Sequence, residues 1–371
     1  MRAGQPILTV KYCISIHIRC LMGKMRQWRL NRSVDEKHSQ GEFNVTAEFI
    51  TIEGIPKPAS RIALGTWAMG GSMWGGADDD NAAKTIDKAL DVGINLIDTA
   101  PVYGFGHSEE ILGKALEGRR DRVVLATKVG LNWQDGQVFR DSRKARIAEE
   151  LDASLKRLRT DHIDLYQVHW PDPKTPFEET ARALEKIVQS GKVRALGLSN
   201  FSPEQMDEFR KFAPVAAIQP PYNLFEREIE KDILPYAVTN KLVVLAYGPL
   251  CRGLLSGKMA MGHVFTGDDL RKVDPKFQPP RFAQYLNAVE GLKTIAEQHG
   301  KSLLALAIRW VLDRGPTIAL WGARKPEQIT GVQDAFGWTL SEGDMAAIDA
   351  ILAKTITDPV GPEFMAPPAR G

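Results

Sequence analysis

Eight short apolar runs, separated by segments of helical periodicity, constrain this chain more than any other feature of its sequence. The runs fall at residues 62–64, 94–97, 123–126, 163–168, 193–198, 216–218, 242–246 and 317–320. None alternates strictly between apolar and polar, which is the pattern of parallel strands covered on both faces. Between them, Ile147, Leu151, Leu155 and Leu158 share one face of a helix. Phe177, Ala181, Leu184 and Val188 do the same, with Gly191 placed as a terminating glycine. Asp78, Asp79 and Asp80 stand ahead of a helix carrying Ile86 and Leu90, where carboxylates suit the positive end of the helix. Eight strand–helix alternations without a break in composition predict a closed (β/α)8 barrel of the α/β class, one domain over residues 46–371. An N-terminal β-hairpin is expected from residues 49–53, Gly54 and residues 61–64, and an extra helix near the C-terminus. A doubly wound sheet is the rival. Its glycine signature is missing: Gly104-Phe-Gly106 lacks the third glycine and follows the second run rather than the first.

The first 45 residues have a different character. Eight basic side chains stand there against three acidic ones, Asp35, Glu36 and Glu42. The apolar stretch at residues 7–21 is interrupted by Lys11, His17 and Arg19, so it is too short and too charged to span a bilayer. No secretory cleavage pattern follows it, and a basic, disordered extension outside the fold is the expectation. The whole chain carries a formal charge of only +2, which draws it neither to nucleic acid nor to a membrane surface and sets no oligomeric state. Cys13, Cys20 and Cys251 have no zinc-type spacing and are too few for a disulfide framework, which points to reduced thiols and a cytoplasmic protein.

Catalytic side chains of a parallel barrel come from the C-terminal ends of its strands. The second run ends at Asp98-Thr99, the third at Thr127-Lys128, and the fourth at Gln167-Val168-His169-Trp170. The fifth ends at Ser199-Asn200, the sixth at Gln219 and the seventh at Tyr247. Singly, each has a plainer explanation. Asp98 serves as a strand-end cap, Lys128 and His169 as solvated loop edges, Tyr103 as a loop aromatic, and Ser199-Asn200 as the approach to a helix after Ser202-Pro203. Six such endings on one face of a barrel are together a poor fit to accident.

The same residues suit one reaction. Hydride delivery to a carbonyl leaves an alkoxide that needs a proton as charge develops. Tyr103, five residues beyond Asp98, is positioned to give it, and a neighbouring Lys128 ammonium favours the phenolate and eases proton release. Asp98 keeps that lysine charged and oriented, while His169 donates to the carbonyl oxygen. Other chemistries find less support. No His-Glu-x-x-His or clustered carboxylates suggest a metal, and Gly197-Leu-Ser199-Asn-Phe201 lacks the second glycine of a nucleophilic serine turn. A Schiff base on Lys128, with Asp98 as proton shuttle, remains an alternative that leaves Ser199, Asn200, Gln219, Tyr247 and Arg324 unexplained.

From about Phe49 to the C-terminus the chain resembles the aldo-keto reductases. The resemblance rests on Gly93-Ile-Asn-Leu-Ile-Asp98-Thr-Ala-Pro-Val-Tyr103 with Ser108-Glu109, on Ala126-Thr-Lys128, and on Leu165-Tyr-Gln-Val-His169-Trp170-Pro171. Gly197-Leu-Ser199-Asn200-Phe201 and Gln219-Pro-Pro-Tyr222-Asn223 complete it. It implies a catalytic tetrad of Asp98, Tyr103, Lys128 and His169. It also implies a nicotinamide carboxamide held by Ser199, Asn200 and Gln219, with Tyr247 stacked on the ring. Gly248-Pro249-Leu250 and Gly257-Lys258 resemble the loop that crosses the pyrophosphate, and Gly322, Arg324 and Gln328 the segment that holds the adenosine end. Arg324 suits a 2′-phosphate, which implies NADP(H) over NAD(H). Many relatives carry Glu-Asn three and four positions after the Gln328-type residue; in this chain Gly331 and Val332 occupy those positions, so adenine contacts are weakened or replaced. Some barrels of this family serve as cofactor-binding partners of membrane channels, so a regulatory subunit with little turnover is a further alternative.

The expected substrate is a small carbonyl or alcohol. Trp74, Phe105, Trp133 and Trp170 follow successive strands and could wall an apolar pocket, the three tryptophans being the candidate pocket residues, with loop packing as the plainer role. Residues 259–280, polar and punctuated by Pro and Gly, read as a lid, and residues 358–371, with four prolines, as an irregular and mobile tail.

Overall fold

The computed structural model describes residues 47–371; the basic N-terminal extension expected from the sequence lies outside them. Eight parallel strands close into a barrel: β1 (Ile62–Gly65), β2 (Leu96–Asp98), β3 (Val124–Val129), β4 (Ile163–Val168), β5 (Val193–Ser199), β6 (Ala217–Gln219), β7 (Val243–Tyr247) and β8 (Thr317–Gly322). Each pairs with its sequence neighbour, and β8 pairs with β1 to complete the ring. Closure excludes the doubly wound sheet. The helices run between the strands: α1 (Asp79–Asp91), α2 (His107–Ala115), α3 (Lys144–Leu158), α4 (Phe177–Gln189), α5 (Pro203–Arg210) and α6 (Ile233–Thr239). Two more, α7 (Arg281–Gln298) and α8 (Leu303–Leu312), precede β8, and α9 (Glu342–Thr355) follows it as the extra C-terminal helix.

Local chemistry explains the element boundaries. The Asp78 carboxylate accepts the Asn81 amide at 3.1 Å and caps α1, with Asp79 and Asp80 in its first turn. Ser202 caps α5 through a capping box with Gln205, and Pro203 opens the helix where no N–H is required. Ile147, Leu151 and Leu158 of α3, and Ala181 and Leu184 of α4, are buried against the strands, as their spacing requires.

Side chains along each strand alternate between two cores. Ile97, Leu125, Tyr166, Leu198, Ile218, Val244 and Trp321 pack outward against the helices. Leu96, Val124, Ala126, Leu165, Ala217, Leu245 and Leu320 point inward and fill the barrel. The N-terminal hairpin pairs Phe49–Ile50 with Ala59–Ser60, ahead of the pairing expected with residues 61–64, which belong to β1. Its Ile50, Ile52 and Ile55 join the interior core. A second hairpin, Leu131–Gln134 with Gln137–Arg140, follows β3 and has no counterpart in the sequence expectations. The tail is irregular but docked: the Arg140 amide donates to the Pro368 carbonyl at 2.9 Å, and Arg370 pairs with the buried Asp172. Among the described residues no helix is long and apolar enough to cross a membrane.

Candidate active site

The alternation that fills the barrel also delivers the site. Asp98, Lys128, Gln167, Ser199, Gln219 and Tyr247 share the inward parity of Leu96, Ala126, Leu165, Gly197, Ala217 and Leu245, and they are the last inward residues of their strands. His169 continues the parity of Gln167 one step beyond β4, its amide still donating to the Val129 carbonyl at 2.8 Å.

Three of the four residues expected to form the tetrad touch directly. The Lys128 ammonium lies 2.5 Å from Asp98 Oδ1, 3.2 Å from the Tyr103 hydroxyl and 3.0 Å from the Thr99 carbonyl. All three of its N–H donors are thereby engaged. His169 meets the Tyr103 ring edge-on with centroids 5.9 Å apart. Tyr103 comes from a turn rather than a strand, and two glycines set its position. A Cβ on Gly70 would fall 2.6 Å from the Tyr103 carbonyl carbon, and one on Gly104, at φ +65°, would fall 2.2 Å from the Gly70 oxygen. The turn therefore presses on the segment Trp67–Gly70, and Trp67 stacks on the phenol ring at 5.9 Å.

The electrostatics follow from burial and these contacts. Burial opposes the Lys128 charge, but Asp98 and Tyr103 outweigh it and hold the ammonium above the usual lysine range. Tyr103 departs from the sequence expectation. Lys128 does favour the phenolate, yet burial, joined by the negative charge of Asp98, prevails and leaves the phenol above its ordinary 10.0. Burial, then the nearby Lys128 charge, pushes His169 well below 6.5, so its imidazole is neutral at physiological pH.

The expected carboxamide residues gather at the same mouth. Ser199 Oγ donates to the Gln219 carbonyl at 2.7 Å, and Asn200, held at φ +64°, donates to the His169 carbonyl and to Ser199 Oγ at 3.0 Å each. The Tyr247 hydroxyl donates to Asn200 Oδ1 at 3.0 Å. The loop after β7 starts with Gly248 at φ +65°, continues through buried Pro249 and half-buried Leu250, and ends near the exposed Lys258. A Cβ at Gly248 or at Gly322 would meet no heavy atom within 4 Å, so the backbone at both strand ends is open to a ligand. Arg324 reaches the loop after β1, donating to the Trp74 carbonyl at 2.5 Å. Gln328 turns its Oε1 to the amides of Arg324 and Lys325 at 2.9 and 3.0 Å, so its carbonyl serves the turn. Val332 is fully buried. This donor set fits a nicotinamide dinucleotide: amide and hydroxyl groups beside the tetrad, open glycines, and cations at the far end.

The aromatic walls are dispersed around the rim. Trp74 packs edge-on to Trp67 at 5.6 Å, Trp133 lies 5.7 Å from Phe105, and Trp170 sits beneath the Arg140 guanidinium at 5.2 Å. Residues 259–280 close onto the loop after β1, where Asp268 accepts the amides of Met73 and Gly75 at 2.7 and 3.0 Å. A surface cleft of 710 Å³ beside the tail, lined among others by Asn132, Phe139 and Arg370, is lined by none of the four tetrad residues.

Three features escape sequence reasoning. Gln167 lies against Asp98, Trp67 stacks on Tyr103, and a buried charge quartet ties the loop after β7 to its neighbours. In that quartet Arg252 bridges Glu226 and Asp274, and Lys276 reaches Glu226 at 2.8 Å. Parity with His169 is a signal for Gln167; nothing in the spacing marks the quartet.

A model of the Aldo/keto reductase family matches residues 61–353. The structure of the glycerol dehydrogenase AKR11B4 from Gluconobacter oxydans is 61% identical and superposes with a TM-score of 0.80, covering 86% of this chain and 99% of that one. The aldo-keto reductase YhdN of Bacillus subtilis (strain 168) is 59% identical over 327 residues, 87% of this chain and 99% of that protein. The NADH-specific methylglyoxal reductase of Escherichia coli (strain K12) is 36% identical over 302 residues, 77% of this chain and 92% of that protein.

Proposed function

The chain belongs to the aldo/keto reductase family and is an oxidoreductase, and from that premise we propose that it reduces small aldehydes or ketones to alcohols with NADP(H), or runs the reverse oxidation, with Tyr103 as proton donor. The observation that carries the reading is the contact of the Lys128 ammonium with both Asp98 and the Tyr103 hydroxyl at the barrel mouth. When bound, the cofactor supplies the hydride that reaches the carbonyl carbon. His169, neutral, donates an N–H to the carbonyl oxygen and places it beside the phenol. As negative charge gathers on that oxygen, Tyr103 gives up its proton. The phenolate left behind faces the Lys128 ammonium 3.2 Å away, which lowers the cost of the transfer. Asp98 keeps that ammonium charged through burial that would otherwise discharge it.

Ser199, Asn200 and Gln219 would hold the carboxamide, Tyr247 the ring, and residues 248–250, Lys258, Gly322, Arg324 and Gln328 the phosphates and adenosine end. Arg324 supports NADP(H), since its Nε and Nη2 have no partner among the described residues; the NADH-specific relative weighs the other way. The glycerol dehydrogenase relative supports a short polyol or hydroxyaldehyde substrate in the rim bounded by Trp74, Trp133 and Trp170. A single fold of residues 46–371 in the cytoplasm completes the proposal.

The Schiff-base alternative loses support on geometry. A nucleophilic amine needs a free, deprotonated nitrogen, whereas all Lys128 donors are spent and its ammonium is stabilised. The decisive assay is loss of NADPH absorbance with a panel of short aldehydes, abolished in Tyr103→Phe. Undiminished turnover in that variant removes the proposed role of the phenol, and equal KM values for NADPH and NADH remove the cofactor preference.

A further inference from the structure

Gln167 takes no part in the chemistry above, yet its surroundings are those of a working residue. It is fully buried, and the inward side chain before it on β4 is Leu165. A buried amide there needs partners for both of its ends. Nε2 donates to Asp98 Oδ2 at 2.9 Å, and Oε1 accepts from Gln219 Nε2 at 3.0 Å. Gln219 Nε2 donates its other hydrogen to the same Asp98 oxygen at 3.0 Å.

The orientation of both amides is forced. An ionised carboxylate only accepts, so both glutamines must turn N–H toward Asp98, and the Gln167 carbonyl is left to take the second N–H of Gln219. The side-chain carbonyl oxygen of Gln219 is the one polar atom of this triangle without a partner among the described residues. Neighbouring backbone makes room for the arrangement. Gly197 pairs in register with Gln167 across β4 and β5, and a Cβ on Gly197 would stand 2.8 Å from Gln167 Cγ.

We propose that Gln167 is a positioning residue of the active site: its buried amide holds the Asp98 carboxylate aligned with Lys128, and it fixes Gln219 so that a carbonyl oxygen faces the carboxamide. The inference rests on the tetrad reading above. Asp98 is then gripped on both oxygens, by Lys128 on Oδ1 and by two amides on Oδ2. The titratable groups facing Asp98 are Lys128 from β3 and Tyr103 from the turn after β2; Gln167 from β4 and Gln219 from β6 are neutral, and His169 meets the Tyr103 ring.

Two variants of the full chain separate this role from packing, with kcat/KM measured against pH using NADPH and glyceraldehyde. Gln167→Met keeps the shape and removes both hydrogen bonds. The Asp98 carboxylate loses one of its two amide donors on Oδ2, so the acid-side fall in kcat/KM moves up by about one pH unit and kcat drops about tenfold. Gln167→Glu replaces the donor only while it carries a proton, so activity is retained at low pH and lost earlier than in the wild type on the alkaline side. A packing role lowers activity equally at every pH and moves neither limb. Unmoved limbs in both variants, with Tyr103→Phe inactive, overturn this inference and leave the tetrad standing; an active Tyr103→Phe removes both. Should Gln167→Met fail to fold, the alkaline limb of Gln167→Glu decides alone.

Discussion

Asp98→Asn isolates the electrostatic core of the site. The substitution keeps the side-chain shape and removes the anion that touches Lys128, whose side chain is 0% exposed beside an Asp98 side chain exposed by 3%. Whichever way the introduced amide turns, its Nδ2 meets a donor, either the Lys128 ammonium or the amides of Gln167 and Gln219. Breaking a buried ion pair from one side costs about 3–5 kcal/mol, because the partner charge is left without compensation. Two features keep the loss within that range: Lys128 retains the Thr99 carbonyl and the Tyr103 hydroxyl, and it is able to shed its proton.

The second feature gives the loss a pH signature. In the wild type the Lys128 pKa is raised, so its contribution to stability is fully present below the unfolded value of about 10.4 and lost as pH climbs through the folded one. In the variant burial prevails and the folded pKa falls below the unfolded one. The unfolded chain then binds more protons across that interval, and the stability of the variant rises with pH. Urea midpoints at pH 7 and at pH 9.5 should therefore show a large deficit that narrows at the higher pH. Carbonyl reduction should fall by about a hundredfold or more as the phenolate loses its charged neighbour. A wild-type midpoint at pH 7, or an equal deficit at both pH values, would falsify the claim that Asp98 is what keeps Lys128 charged.

Other substitutions probe the surroundings. Gly197→Ala places a methyl against Gln167 Cγ and should destabilise by about 1–3 kcal/mol in urea unfolding, with reduced kcat; a neutral outcome means that Gln167 is free to move aside. Glu226→Gln leaves Arg252 and Lys276 with Asp274 as their remaining anion and should cost about 3–5 kcal/mol by the same assay, whereas a change below about 1 kcal/mol means the quartet is well solvated. Arg370→Ala removes the pairing with Asp172 and the hydrogen bond to Thr175 at 3.1 Å, so limited proteolysis should cut within residues 358–371 faster than in the wild type; equal rates mean that the tail's other contacts, those of Arg140, Lys276 and Arg281 among them, hold it without Arg370.

What is legible in the sequence divides along the distance between cause and effect. Strand runs are legible because burial on both faces is written locally in apolar residues, and Asp98, Lys128 and Gln219 are legible because each ends such a run. Tyr103 is placed by its offset from Asp98, but its environment is not: the sign of its pKa shift depends on burial under Trp67, which comes from the preceding strand's loop. The Glu226–Arg252–Asp274–Lys276 quartet joins segments whose spacing carries no periodicity, so only the closed barrel brings them together. The tail reads as free because proline-rich composition reports on regular structure, not on docking, and Arg370 finds Asp172 across the fold. Gln167 is the instructive miss. A polar residue inside an apolar run reads as noise when runs are judged by composition, yet alternation puts residues 165, 167 and 169 on one face. Two of those three then stand at the depth of Asp98 and Tyr103, so a glutamine at that parity has either to find a charged partner or to destabilise the barrel. Tracing parity inward from a recognised strand-end residue therefore identifies supporting side chains that motif matching passes over.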